Sequence, residues 1–146
     1  MLRGNHPATV DAKGRLKIPT GFLPELRKQG DDFYVTSEDG SLAKIFPLKE
    51  WEAIEEKLAK LPSYNPAKRK FLLRTSYYGQ EVKLDAQGRI LLPQKLRESA
   101  HLLGDVEVIG HDAHLEVWSS SRIEEQEIRG DPWTGKDFEN LGGLGI

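Results

Sequence analysis

The chain contains no cysteine among its 146 residues. Disulfides and thiolate metal sites are therefore excluded, and the composition suits a reducing compartment. No apolar run approaches the roughly 18 residues that a membrane-spanning helix needs. The start, Met1-Leu2-Arg3-Gly4-Asn5-His6-Pro7, lacks the hydrophobic stretch of a secretory signal. A soluble, cytoplasmic protein with no membrane partner is expected. Nor is positive charge in excess: 21 Lys and Arg stand against 23 Asp and Glu, for a net charge of −2. That argues against attraction of nucleic acid to the whole surface. A local basic face stays possible, because screening at physiological salt acts over about 8 Å. No nucleophile stands beside an evident base, so the chain is expected not to be an enzyme, and no cofactor is expected.

What the chain does contain is one short phrase written twice. Asp11-Ala12-Lys13-Gly14-Arg15 returns as Asp85-Ala86-Gln87-Gly88-Arg89, 74 positions later. Each copy runs into an alternating stretch that ends in proline, Leu16-Lys17-Ile18-Pro19 and Ile90-Leu91-Leu92-Pro93. The echo continues more faintly. Phe33-Tyr34-Val35-Thr36 answers to Val106-Glu107-Val108-Ile109, and Lys44-Ile45-Phe46-Pro47 to Glu116-Val117-Trp118-Ser119. Because the order of these segments is kept, the repeat is of a whole fold. A copy of about 70 residues is marginal for a core of its own. The copies are expected to bury a face against each other or against other subunits.

Residues 1–47 read as a first module, 48–76 as a helical connector, 77–129 as a second module, and 130–146 as a Gly-rich, flexible tail. In the first module Gly14 supplies the positive φ that a tight turn needs. In the strand that follows, Leu16 and Ile18 face one side while Arg15 and Lys17 face the other. Thr20 is the expected cap of a short helix over 20–29 that turns Phe22, Leu23 and Leu26 inward, with Gly30 as its stop. Strands over 33–37 and 42–46 flank an Asp39-Gly40 hairpin. In the connector, Trp51, Ile54, Leu58 and Leu61 form the stripe of a helix over 48–61. Asn65 and Pro66 open a second helix over 66–76. The second module repeats the pattern, with a strand at 89–92, a helix at 94–102 and a hairpin of 105–109 with 114–118. Glu124-Glu125-Gln126-Glu127 suggests a short acidic helix, and Trp133 and Phe138 stand isolated in the tail.

The turns carry the chemistry. Lys13, Arg15 and Lys17 form a small cationic ridge around a glycine, which Arg3 joins if the N-terminal strand pairs beside it. Arginine can fork onto phosphate or onto a guanine edge, and lysine adds unspecific attraction. Asp11 would repel phosphate, so its role is to accept backbone N–H groups or to orient Arg15. Each Asp–Arg pair can equally be a plain structural staple. In the second copy Gln87 replaces Lys13 and Leu91 replaces Lys17, leaving Arg89 as the cation on a loop shaped by Asp85 and Gly88. The first turn is thus expected to dominate binding, with Gln87 and Arg89 secondary and Leu91 at a protein contact. His111-Asp112-Ala113-His114 reads as an exposed turn, with no metal expected. Lys68-Arg69-Lys70 reads as a solvated helix face.

The N-terminal Met1-Leu2-Arg3-Gly4, the paired turns and Pro47-Leu48-Lys49-Glu50-Trp51-Glu52 resemble the MraZ transcriptional regulators of bacteria over residues 1–125. The resemblance implies an α+β fold of two tandem AbrB-like swapped-hairpin modules (double-psi-like β-barrels) in a ring-shaped homo-oligomer. It implies nucleoid-associated binding to double-stranded DNA, at direct repeats in the promoter of the division and cell wall gene cluster. The family's DNA-contacting loop corresponds to Lys13, Arg15 and Lys17, and to Arg89 in the second copy. The competing reading is an antitoxin-like or scaffold ring whose basic loops or tail bind a protein partner.

Overall fold

Alternating apolar and polar residues give eight strands one inward and one outward face each. A computed structural model describes residues 1–146. The strands are β1 (Asn5–Val10), β2 (Arg15–Lys17), β3 (Asp32–Thr36), β4 (Ala43–Pro47), β5 (Gln80–Lys83), β6 (Arg89–Leu91), β7 (Gly104–His111) and β8 (His114–Ser119). They lie in the order β5-β3-β4-β8-β7-β1-β2-β6, every neighbouring pair antiparallel. The two ends of that order, β5 and β6, are joined by the second Asp-x-x-Gly-Arg turn, where the Asp85 N–H donates to the Arg89 carbonyl at 3.0 Å. The sheet is therefore an almost closed barrel.

The two repeats are threaded through one another. β1 pairs with β7, from Asn5↔Ile109 to Val10↔Gly104. In the matching positions β3 pairs with β5, from Asp32↔Lys83 to Val35↔Gln80. β2 pairs with β6, and β4 with β8. Each copy thus supplies the strands that complete the other's sheet. A single cluster of 20 buried residues fills the interior, including Leu16, Ile18, Phe33, Val35 and Ile45 from one copy and Ile90, Leu92, Val106, Val108 and Leu115 from the other. Truncating any of the fully buried leucines to alanine should cost about 2–5 kcal/mol.

Helices cap and cover this barrel. The short helix α1 (Leu23–Lys28) starts three residues later than the sequence suggests. Phe22, not Thr20, sits at its N-cap, without a side-chain cap. Burial of Phe22 and a proline in the first turn set the start instead. Gly30, at φ +104°, ends it as expected. In the connector, α2 (Leu48–Ala59) lies on the outer face of β3 and β4, where Trp51 stacks on Tyr34 at 4.8 Å between centroids and meets Phe46 at 5.2 Å. Only this end of its stripe is deeply buried, and Leu61 is exposed. Helix α3 (Pro66–Tyr77) is capped by Asn65, whose side chain accepts the Lys68 N–H at 3.0 Å. Its far end is pinned to β3, because Tyr34 Oη and Thr36 Oγ1 both donate to the Thr75 carbonyl, at 3.0 and 2.7 Å.

Helix α4 (Gln94–Ala100) follows β6 and buries Leu96 and Ala100. After β8, the single turn α5 (Ser120–Arg122) continues as a π-helical segment over Ile123–Ile128, where the acidic helix was expected. The Gly-rich segment contains α6 (Gly135–Asn140), opened by a reciprocal Thr134–Asp137 capping box. Trp133 and Phe138 pack edge to face at 5.1 Å and both remain largely exposed. No helix is long and apolar enough to cross a membrane.

Candidate functional site

The two Asp-x-x-Gly-Arg turns have nearly the same internal wiring. In the first, Asp11 Oδ1 accepts the N–H groups of Lys13 and Arg15 at 3.0 and 2.9 Å, and Oδ2 accepts Arg15 Nε at 2.9 Å. In the second, Asp85 Oδ1 accepts from Gln87 and Arg89, both at 2.9 Å, and Oδ2 accepts Arg89 Nε at 3.2 Å. Gly14 and Gly88 sit at φ +86° and +76°, where a side chain would be strained. These bonds hold both carboxyls below the usual Asp range. The backbone N–H of Arg15 is the largest cause for Asp11, and that of Arg89 for Asp85.

The barrel then places the turns side by side. The Gly14 carbonyl accepts the Leu92 N–H, and the Gly88 carbonyl accepts the Ile18 N–H, both at 2.9 Å. Between these bonds β2 and β6 pair Arg15↔Leu91, Leu16↔Ile90 and Lys17↔Arg89. Leu16 and Ile90 point into the core and are fully buried. Period-two alternation turns Arg15, Lys17, Arg89 and Leu91 to the outer face together. A two-stranded ribbon thus carries three cations outward, with Lys13 at one corner and Gln87 at the other.

The two arginines differ in what they have left to give. Asp11 engages only Nε of Arg15, so both terminal nitrogens of that guanidinium make no hydrogen bond within the protein. Arg89 is held by Asp85 and also donates from Nη2 to Gln87 Oε1. The staple and the binding roles of the Asp–Arg pair are therefore compatible at the first turn. The carboxylate fixes Nε and aims the fork outward.

One cation at this site was missed by sequence reasoning. Arg97, on α4, lies against Gly14 and donates from Nε to the Leu92 carbonyl at 2.9 Å. At the second turn the residue packed on Gly88 is Leu23. Arg97 and Leu23 are 74 positions apart, the spacing of the repeat itself, and aligning the two short helices at that spacing was the signal available. The second turn has a different visitor, Arg27, which donates to the Asp85 carbonyl at 3.3 Å.

Arg3 does not join this group. β1 does pair beside β2, but Arg3 precedes β1 and the first turn follows it, so the six residues of the strand, roughly 20 Å, separate them. Arg3 lies instead beside Gly110, near the tip of the β7–β8 hairpin. Of the two histidines at that tip, one departs from expectation. His111 is exposed, but His114 is largely buried and stacked on Phe46 at 4.5 Å between centroids. Glu116, two residues on, has one carboxylate oxygen 3.8 Å from the His114 imidazole, beyond hydrogen-bond reach, while the other accepts the Trp118 Nε1–H at 3.1 Å.

Comparison with known proteins converges on one family. The model of the family described as "MraZ protein, putative antitoxin-like" matches residues 1–74 and 79–129. A protein named transcriptional regulator MraZ from Acidobacterium capsulatum is 51% identical over the full length of both chains. One of the same name from Koribacter versatilis is 45% identical, again over both full lengths. A third, from Coxiella burnetii, is 39% identical over 85% of this chain and 83% of its own. The barrel of interleaved repeats with its paired Asp-x-x-Gly-Arg turns thus belongs to a member of the MraZ family.

Proposed function

We propose that the chain is a sequence-specific DNA-binding transcriptional regulator that reads double-stranded DNA with the outer face of the β2–β6 ribbon. The observation that carries this reading is the free guanidinium fork of Arg15, aimed outward by Asp11 on a ribbon shared with Lys17 and Arg89. A two-stranded ribbon fits the major groove, which is about 12 Å wide, and an arginine fork matches the O6 and N7 of guanine. Lys13, Lys17 and Arg97 would neutralise flanking phosphates, while Leu91, opposite Arg15 on the same exposed face, would meet a thymine methyl group in place of the protein contact expected from the sequence. The relatives named as transcriptional regulators support the same role.

A handful of cations gives only modest, salt-sensitive attraction. A ring-shaped homo-oligomer would present many such ribbons at once, and effective concentration would then multiply affinity. Direct repeats, as in a promoter of the division and cell wall gene cluster, suit cyclic symmetry, because neighbouring subunits keep one polarity along the DNA. Such a regulator works in the cytoplasm, on the nucleoid. Exposed Leu73 and Tyr77 on α3 offer apolar surface for contacts between subunits.

A second reading, an antitoxin-like or scaffold protein that binds a protein partner, is favoured by the exposed Trp133–Phe138 pair. One experiment separates the two. Fluorescence anisotropy would follow a duplex from the protein's own upstream region, with wild type and Arg15→Ala at two salt concentrations. The regulator reading expects tight, salt-sensitive preference for that duplex over scrambled DNA, lost in the folded variant. Equal binding of both duplexes, unchanged by the substitution, would make the turn a staple and favour the protein partner.

A further inference from the structure

We propose that His111, His114 and Glu116 form a binding site for a divalent transition-metal cation of the zinc class. The three side chains meet at the tip of the β7–β8 hairpin, with one potential ligand atom from each lying within 4.8 Å of the others. The local structure dictates this meeting. His111 and His114 are directly paired across a two-residue turn, so their side chains share a face. Glu116 follows His114 by two residues and shares that face too. The rings of the two histidines are 4.9 Å apart between centroids.

His114 supplies the second, independent observation. Its Nε2 is buried and has no hydrogen-bond partner. A buried polar atom is almost always satisfied, so an exception points to a missing partner. The nearest candidate, Glu116 Oε2, is 3.8 Å away, too far for a hydrogen bond. Two donors on a tetrahedral zinc ion stand about 3.4 Å apart, given metal–ligand distances near 2.0–2.2 Å. The His114–Glu116 separation is close to that spacing, and His111, exposed at the rim, is free to rotate in as the third ligand.

The surroundings hold the ligands in place. The His114 ring is stacked on Phe46 with 22° between planes. The other oxygen of Glu116 accepts the Trp118 Nε1–H at 3.1 Å, which orients the carboxylate as outer-shell partners do in metal sites. The turn itself is clamped from outside, since Leu2 and Asp112 exchange backbone hydrogen bonds of 2.7 and 3.1 Å. Lys44 stands opposite Glu116 on β4, but its ammonium is drawn off to Glu38 at 3.1 Å. Two imidazoles and a carboxylate, with a fourth position left to water, select zinc, cobalt, nickel or copper over magnesium or calcium. A bound ion would join β7 to β8 and, through Asp112, to the N-terminal segment. It would act at the opposite end of β1 from the basic ribbon.

The test uses the full chain. Cobalt(II) is titrated by visible absorption, zinc affinity is measured by competition with a chromophoric chelator, and thermal unfolding is followed with and without zinc. The expected result is one equivalent bound and a melting temperature raised by zinc. His111→Ala touches only an exposed side chain, and Glu116→Gln preserves volume. Each should leave the metal-free melting temperature near wild type, weaken zinc about 10–100-fold, and abolish the zinc-dependent rise. His6→Ala and His101→Ala should bind as wild type does. Absence of binding to the wild-type chain, or wild-type affinity retained in both His111→Ala and Glu116→Gln, would overturn the proposal.

Discussion

Arg97 packs on Gly14 so closely that a β-carbon on the glycine would lie 2.8 Å from Arg97 Nη1. This contact joins α4 of the second repeat to the basic turn of the first; the reciprocal contact, from α1 of the first repeat to Gly88, is made by the uncharged Leu23. The functional asymmetry of the two turns therefore exceeds the difference between Lys13 and Gln87.

Replacing Arg97 by the residue of the other repeat, Arg97→Leu, should weaken DNA binding by about tenfold, the loss of one good charged contact. Stability should fall by only about 1 kcal/mol, for the hydrogen bond to the Leu92 carbonyl. Gly14→Ala should cost about 1–2 kcal/mol from backbone strain alone, and displace Arg97 as well. Anisotropy and urea unfolding on the same samples check both. If Arg97→Leu binds as wild type does, the arginine is a structural strut.

The cations of the ribbon should separate by role. Lys13→Gln and Lys17→Gln should each lower the slope of log affinity against log salt by about 1, without changing sequence preference. Arg15→Ala should cost about 1–3 kcal/mol and relax discrimination at one base pair. Arg89→Ala should cost less, since Gln87 and Asp85 already occupy its guanidinium. A larger loss from Arg89→Ala than from Arg15→Ala would reverse the ranking of the two turns.

Acid should loosen both turns together. The folded-state pKa values of Asp11 and Asp85 are depressed. Their contribution to stability is therefore complete above the unfolded Asp value, near 3.9, and is lost as pH falls through the lower folded values. The gap in thermal unfolding between wild type and Asp11→Asn should be constant above about pH 5, begin to close as pH falls past about 4, and vanish only below the depressed folded value. A gap that is independent of pH would mean that the carboxylate charge plays no part in holding the turn.

Gly79 should tolerate no side chain. A β-carbon there would collide with the Thr75 carbonyl oxygen and the Tyr34 hydroxyl, the pair that ties α3 to β3. Gly79→Ala should destabilise by about 2–3 kcal/mol, in the range of overpacked sites. Gly135→Ala, in the first turn of α6 with nothing within 4 Å, should be neutral or slightly stabilising, which makes it the control. Equal midpoints for the two variants in urea would contradict this packing.

The sequence was legible where the signal is local. Alternation placed Leu16 and Ile18 inside and Arg15 and Lys17 outside, and Asn65-Pro66 opened α3 as its chemistry requires. Gly14 and Gly88 adopt the positive φ that the duplicated turn demands. What alternation cannot encode is the identity of a strand's neighbour. It therefore left open whether the repeats pair within one chain, and it gave no sign that Arg97 reaches Gly14. Nor did it reveal the length of β1 that parts Arg3 from the other cations. Thr20 misled for a related reason, since burial of Phe22 outweighs a hydroxyl cap. His114 misled because Phe46 shelters it from an adjacent strand.

The threading of the repeats also sets a timetable for synthesis. Asn5 must wait for Ile109, its partner across the sheet, to leave the ribosome. At roughly 5–20 residues per second, β1 spends some 5–20 s as a bare edge before β7 exists to cover it. Nascent chains from which residue 104 has not yet emerged should therefore be protease-sensitive throughout β1, and chains released from the ribosome with residue 119 exposed should become resistant in one step. Resistance of the shorter chains would show that the first repeat finds a temporary partner. Over that interval the chaperones that meet the emerging chain face an unpaired strand edge, the feature most prone to join the wrong neighbour.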